Sequence, residues 1–469
     1  MQTSLFELTG TQLIKGFKEK QFSPVEVAKS CLERIDEFDP AINAFCLVDK
    51  NTTLAMAEES ELRWQSGSQK GPLDGLPISV KDILLTKGWP TLRGSKNIPK
   101  DGPWNEDSPP VARIREAGAV LLGKTTTPEF AWKGVTDSPL TGISRNPWDL
   151  TRTPGGSSGG AAAAVASGMG PLAIGTDAGG SLRIPAAMCG LFSIKPTAGR
   201  VPSYPPTPYG SFAASGPISW SVADAANLLN ILSGGDWRDG VALPPLEMDL
   251  SRDIENFDRK LRIGWSPDLG FANPQRAVLD AAERTLMQFE ALGHVIEEVS
   301  APFDDPTDVY NDLRAGMSVA AFAEVDESKL SQMDPGLAAH IRESRSDANI
   351  KTFLAADAER AKICREMNKF HTKFDLLLTP ALACTTFEVG IDGPANLPSS
   401  RFWSPYTFPF NLTRQPAVTL PCGTDGDGLP LAVQVIGPLY SEQLLLQFSH
   451  QYEQAYSWDR KRATPGHPA

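Results

Sequence analysis

Leu76-Pro77-Ile78-Ser79-Val80-Lys81-Asp82, then Pro109 to Ala117, then Ala119-Val120-Leu121-Leu122-Gly123, is the stretch from which the architecture is read. Leu76 to Val80 reads as a short buried strand leading into Lys81, Pro109 to Ala117 as a helix, and Ala119 to Leu122 as a strand closed by Gly123. The same order returns late in the chain. Leu261 to Trp265 reads as a strand, Pro274 to Leu292 as a helix stopped by Gly293, and His294 to Val299 as a strand. Further strands are expected at Leu376 to Leu378, Ala417 to Leu420 and Leu431 to Ile436. Strands alternating with helices predict an α/β protein with a central mixed, mostly parallel β-sheet covered by helices on both faces. Ser23-Pro24-Val25-Glu26 supplies an N-cap hydroxyl, a proline at the first helical position and a returning glutamate, so a helix is expected through Val27 to Ile35.

The 469 residues, 41% hydrophobic and 21% charged, have ordinary globular composition, and core size is not limiting. No fixed-period repeat and no linker of Gly/Ser or Pro character divides the chain. A single domain over 1–469 is expected, with a helical part over 1–70, a core segment carrying the candidate chemistry over 71–220, and a loose tail over 455–469. Pro202 to Pro208 reads as a rigid surface loop or a pocket wall. A net charge of −12 without a basic stripe argues against nucleic acid as a partner. The six cysteines are scattered without a C-x-x-C pair, so neither a zinc site nor a disulfide framework is expected. The first residues lack a secretory leader's pattern and no apolar run approaches a membrane span, which predicts a cytoplasmic protein with no membrane partner.

Two serines lie in glycine-rich settings, in Thr153-Pro154-Gly155-Gly156-Ser157-Ser158-Gly159-Gly160 and in Gly175-Thr176-Asp177-Ala178-Gly179-Gly180-Ser181-Leu182-Arg183. A serine hydroxyl is a weak nucleophile and needs a base, a proton route to the leaving group and donors for the oxyanion. The backbone N–H groups of Ala178, Gly179, Gly180 and Ser181 are candidates for those donors. Gly-x-Ser-x-Gly, centred on Ser157 and again on Ser158, invites comparison with the nucleophile elbow of an α/β-hydrolase. An elbow needs a strand immediately before the serine, whereas Asn146 to Pro154 is a polar, proline-bounded loop. It also needs a histidine, and His294, His340, His371, His450 and His467 read as surface or packing residues. A phosphate-binding loop lacks its Gly-Lys-Ser/Thr ending, and a plain Gly/Ser turn is the remaining alternative for either segment alone.

Together with Gly71-Pro72-Leu73-Asp74-Gly75-Leu76-Pro77-Ile78-Ser79-Val80-Lys81-Asp82, the two segments resemble the amidase signature family. The resemblance extends through Gly118 to Thr125, Asn411 to Ala417 and Gly428 to Gly437. It implies the fold of that family, a Ser181 nucleophile that becomes the acyl ester, a bridging Ser157 following a cis Gly156-Ser157 bond, and Lys81 as general base. A base must be neutral, and burial beside Ile78 to Val80 is expected to lower the lysine pKa; the alternative for Lys81 is an ion pair with Asp82 or another carboxylate. Asp177 and Arg183 read as an ionic brace and Ser158 as a hydrogen-bonding support. The expected reaction is hydrolysis of a small-molecule amide through an acyl-enzyme, with no metal and no organic cofactor; a homodimer is an open option.

Phe130, Trp132, Tyr204 and Trp403 are the aromatic candidates for a substrate pocket, which would suit an aryl or alkyl amide. Two other readings share the resemblance. One is the glutamine-hydrolysing component of a tRNA-dependent amidotransferase, its A chain, which would need a partner protein. The other is a non-catalytic scaffold of the same fold.

Overall fold

The computed structural model describes residues 4–397, 400–458 and 462–465. Its strands are β1 (Phe45–Val48), β2 (Pro77–Lys81), β3 (Val120–Thr125), β4 (Asp137–Ser138), β5 (Gly142–Ile143), β6 (Leu172–Asp177), β7 (Phe192–Lys195), β8 (Ala214–Ser219), β9 (Arg262–Trp265), β10 (Val295–Glu298), β11 (Leu376–Pro380), β12 (Ala417–Thr424) and β13 (Pro430–Ile436). Strands β4 and β5 form a small ribbon; the other eleven make one mixed sheet in the order β1-β3-β2-β6-β8-β7-β12-β13-β11-β9-β10. Parallel ladders join β3, β2 and β6 at one end and β11, β9 and β10 at the other, which is where strands and helices alternate in sequence. Between them, every pairing from β6 through β8, β7, β12 and β13 to β11 is antiparallel. Helices pack on the sheet, and the chain is a single domain.

Most expected elements are present with shifted ends. The helix after Ser23 spans Pro24–Ile42, with the Ser23/Glu26 capping box made, and it stops at Asn43 in the left-handed conformation. The third strand is not closed by Gly123. A register shift in its pairing with β2 lets it continue to Thr125. The helix Arg276–Ala291 lies within the expected Pro274 to Leu292.

Part of the described tail is packed, while Ala455 and Ser457 are exposed. Trp458, Arg462 and Ala463 are buried, Arg462 donates to the carbonyls of Phe6 and Leu8, and its guanidinium lies over the Trp220 ring. Residues 459–461 and 466–469 of the expected loose segment lie outside the described residues.

The parallel pairing of β2 with β6 aligns Val80 with Ile174, so Lys81, the last residue of β2, and Asp177, the last of β6, finish at the same sheet edge. The C-terminal ends of parallel strands are where loops build sites in α/β sheets. Two short buried helices start at that edge, Gly159–Ala166 and Arg183–Cys189, and each is preceded by one of the serine segments.

Candidate active site

Lys81 ends a strand whose five residues are all buried. Its Nζ lies 2.7 Å from Ser157 Oγ and 2.9 Å from Thr176 Oγ1. Burial draws its pKa from 10.5 down to about 7, against an opposing pull from the Asp177 carboxylate. The expected alternative partner, Asp82, is turned away, with its carboxylate 3.4 Å from Nζ of buried Lys124. Lys124 also donates to the Leu84 carbonyl and Thr91 Oγ1. Lys81 therefore faces two hydroxyls and, among the described residues, no carboxylate within ion-pairing distance, the setting in which a lysine gives up its charge.

Ser157 is buried and follows a cis Gly156-Ser157 peptide. A Cβ on Gly156 would stand 2.6 Å from the backbone of Val135, which explains glycine at this position. Thr136 pins the loop from both sides: its Oγ1 donates to the Gly155 carbonyl and accepts from the Gly159 N–H. Ser158 Oγ donates to the carbonyl of Thr176, the second residue on Lys81, and accepts from its N–H.

The turn carrying Ser181 is shaped by the buried pair Asp177 and Arg183. Arg183 donates to both Asp177 oxygens at 2.9 and 3.0 Å, and the guanidinium beside Asp177 holds its carboxyl well below the usual range. Arg183 also donates to Asn411 Oδ1, Gln434 Oε1 and the Thr407 carbonyl. Asp177 in turn accepts the N–H groups of Gly180 and Leu182. This corrects one expectation: the Gly180 N–H is committed to Asp177 and is not an oxyanion donor. Among the described residues no protein acceptor takes the N–H of Ala178, Gly179 or Ser181. The Tyr310 hydroxyl donates to the Ala178 carbonyl and Thr407 Oγ1 to the Gly179 carbonyl, which fixes the two peptide planes from behind.

A cavity of about 740 Å³ opens over Ser157, Thr176 and Ser181, and a second of about 470 Å³ borders Ala178, Gly179 and Ser181. Phe130 and Tyr204 line the first and Trp132 the second. Residues 203–208 form part of the first cavity's wall, so the proline-rich stretch is a pocket wall, and Tyr204-Pro205 is cis. Trp403 is a correction. It is fully buried against Phe387, its Nε1 donates to the Asp392 carbonyl, and it belongs to the core.

Sequence reasoning did not single out Thr176, Tyr310, Thr407, Asn411 or Gln434 as site residues. It also missed the helices Thr307–Ala321, Pro335–Asp347 and Ile350–Phe370, whose Met317, His340 and Phe353 help enclose the two cavities. Thr176, Asn411 and Gln434 lie in segments that carry the resemblance; Tyr310 and Thr407 carried no local signal. Of the histidines, His340 bonds Ser318, His294 bonds Gln451 and His371 bonds Gln415. Among the described residues none bonds Ser157 or Ser181. Among those residues also, no helix is long and apolar enough to cross a membrane.

The Amidase family profile matches residues 26–446. An acylamidase of Rhodococcus erythropolis is 33% identical over 98% of both chains. The A chain of the glutamyl-tRNA(Gln) amidotransferase of Chloroflexus aurantiacus is 34% identical over 98% of this chain and 99% of its own. A bacterial aryl acylamidase described as an amidase signature enzyme superposes with a TM-score of 0.88 at 30% identity, covering 96% of each chain. A 6-aminohexanoate cyclic dimer hydrolase does so with a TM-score of 0.88 at 27% identity, covering 98% of this chain and 99% of the other. With a match of that length laid over a sheet edge that gathers Lys81, Ser157 and Ser181, the chain belongs to the amidase signature family and is an amidohydrolase.

Proposed function

We propose that the protein hydrolyses an aryl or alkyl amide through a Ser181 acyl-enzyme, with Ser157 and Lys81 relaying the proton. The observation that carries the reading is the buried contact of Lys81 Nζ with Ser157 Oγ at 2.7 Å, made by a lysine whose pKa is drawn down to about 7. Neutral Lys81 accepts the Ser157 proton as Ser157 takes the proton of Ser181 Oγ. The Oγ then adds to the amide carbonyl carbon. The N–H groups of Ala178, Gly179 and Ser181 are the donors available to the oxyanion, with Asp177 and Arg183 holding the turn that presents them. Collapse expels the amine, which takes its proton from Ser157 as Lys81 returns one to Ser157. Water then enters by the same route, adds to the acyl ester and releases the acid and Ser181.

The largely apolar wall of the main cavity, with Phe130, Tyr204, Met317 and Phe353, favours an aryl or alkyl group. The acylamidase and aryl acylamidase relatives support the same class. The amidotransferase relatives keep glutamine as a second reading, and an apolar cavity of this size suits it less well. Intact Lys81, Ser157 and Ser181 argue against a non-catalytic scaffold.

The test is intact-protein mass spectrometry after brief incubation with anilides, aliphatic amides and glutamine, for wild type and Ser181→Ala. An adduct with the mass of one acyl half, absent from the variant, supports the reading. Turnover without dependence on Ser181 refutes it, and ammonia release from glutamine alone moves the assignment to the amidotransferase type.

A further inference from the structure

Among the described residues, two charged side chains line the main cavity, Asp177 and Arg93. Asp177 is fully committed to Arg183, Asn411 and two backbone N–H groups. Arg93 is not. It is half-buried, and among the described residues no carboxylate lies within ion-pairing distance of it and no acceptor takes its guanidinium N–H groups. Asp82, whose charge acts on Arg93, is paired with Lys124. A half-buried guanidinium on a cavity wall, with five donors and no protein acceptor among the described residues, is open to the acceptors of a ligand. Burial without a partner also depresses its pKa.

The backbone at this wall is held in an uncommon shape. Arg93 has φ +55°, and the Phe130 N–H donates to its carbonyl at 2.8 Å. Phe130 and Ala131 follow at φ +52° and +58°, and both line the cavity. Three non-glycine residues in the left-handed region, tied together at one wall, carry a conformational cost that surrounding structure must sustain, and such clusters gather where ligands are held. Ile83, Leu84, Phe322 and Val325 complete the apolar part of that wall.

We propose that Arg93 is a specificity residue, and that the preferred substrates are amides bearing a carboxylate at the end of an apolar arm seated in this cavity. The planar guanidinium fits a carboxylate bidentately, the apolar wall covers the arm, and an uncharged amide leaves the guanidinium without a partner. The proposal rests on the amide-hydrolase reading above and names the substrate class within it.

Two matched pairs serve as probes: 4-acetamidobenzoate against 4-methylacetanilide, with the charge on the amine half, and N-phenylsuccinamate against pentananilide, with the charge on the acyl half. The kcat/KM ratio of acid to neutral amide is measured for wild type, Arg93→Gln and Arg93→Lys, which cancels the intrinsic reactivity of each pair. For at least one pair the ratio is expected to fall by about 10- to 100-fold in Arg93→Gln, the range of a charge-assisted hydrogen bond, with Arg93→Lys between the two. Labelling of Ser181 by a fluorophosphonate reports an intact centre in each variant, independently of substrate charge. Ratios unchanged by Arg93→Gln in both pairs, with labelling intact, overturn the proposal. Absence of labelling and of turnover in wild type overturns the acyl-enzyme reading instead.

Discussion

The pH dependence of acylation is the sharpest consequence of where Lys81 sits. A lysine at its ordinary 10.5 would be neutral in only about one molecule in 3000 at pH 7, whereas a pKa of about 7 makes about half of the molecules competent. The difference corresponds to roughly 5 kcal/mol of lost preference for the ammonium form, set by burial and reduced by the Asp177 charge. The base acts when deprotonated, so kcat/KM on an uncharged nitroanilide is expected to climb about tenfold per pH unit below a midpoint of about 7 and to level off above it. Burial also draws Lys195 to about 7, and its Nζ is held by the carbonyls of Pro196 and Gln415. His340 and His371 are pulled down to about 4 and lie outside this window. The assay is initial-rate anilide cleavage from about pH 5.5 to 9.5 at constant ionic strength, for wild type, Lys81→Ala and Lys195→Met. Lys195→Met should keep the midpoint. Lys81→Ala should lose most of the rate and all of this limb, with its deficit narrowing at high pH as hydroxide substitutes for the base. A flat wild-type profile, or a limb that survives in Lys81→Ala at the same midpoint, would refute the role of Lys81.

Ser181→Ala should reduce turnover by about 10⁴-fold or more while the urea midpoint stays put, since the half-buried hydroxyl has no protein partner among the described residues. Arg183→Met removes one side of a buried, multiply bonded ion pair. A loss of about 3–5 kcal/mol in chemical denaturation is expected, together with loss of activity as the Ser181 turn relaxes. Trp403→Ala should cost about 3–5 kcal/mol of stability with little change in KM; a change in KM at constant stability would return Trp403 to the pocket.

The strand–helix alternation was legible at both ends of the sheet because short apolar runs bounded by helices and glycines leave few alternatives to a parallel ladder. The antiparallel middle was not. Strands β7 and β8 are joined by residues 196–213, whose prolines and aromatics read as a loop, and nothing in that loop says that its two flanking strands pair directly. Order across a sheet is decided by which faces bury best against the helices, and that information is spread over the whole chain.

The same division between local and distributed information explains the site. Glycine strings around Ser157 and Ser181 were informative because their backbone must pass within contact distance of other chain segments, and glycine is the residue that permits it. At Gly180 a Cβ would stand 2.5 Å from Thr407 Oγ1, and at Gly156 it would stand 2.6 Å from Val135. The partners that impose those contacts had no such mark. Thr176 stands inside a glycine-rich serine segment, yet a threonine in a strand is ordinary, and only the folded sheet edge brings its hydroxyl to Lys81 Nζ. Tyr310 and Thr407 lie 132 and 228 residues from the carbonyls they hold. Trp403 failed for the converse reason: an aromatic beside Ser404 and Pro405 looks alike whether it rims a cavity or fills the core, and burial is a property of what surrounds it. In the proposed reading the chemistry therefore sits in short local strings, while selectivity falls to residues such as Arg93, Phe130 and Phe353, gathered from distant parts of the chain around one cavity. Substitution at those three positions should change which amide is cleaved while leaving Lys81, Ser157 and Ser181 able to cleave it.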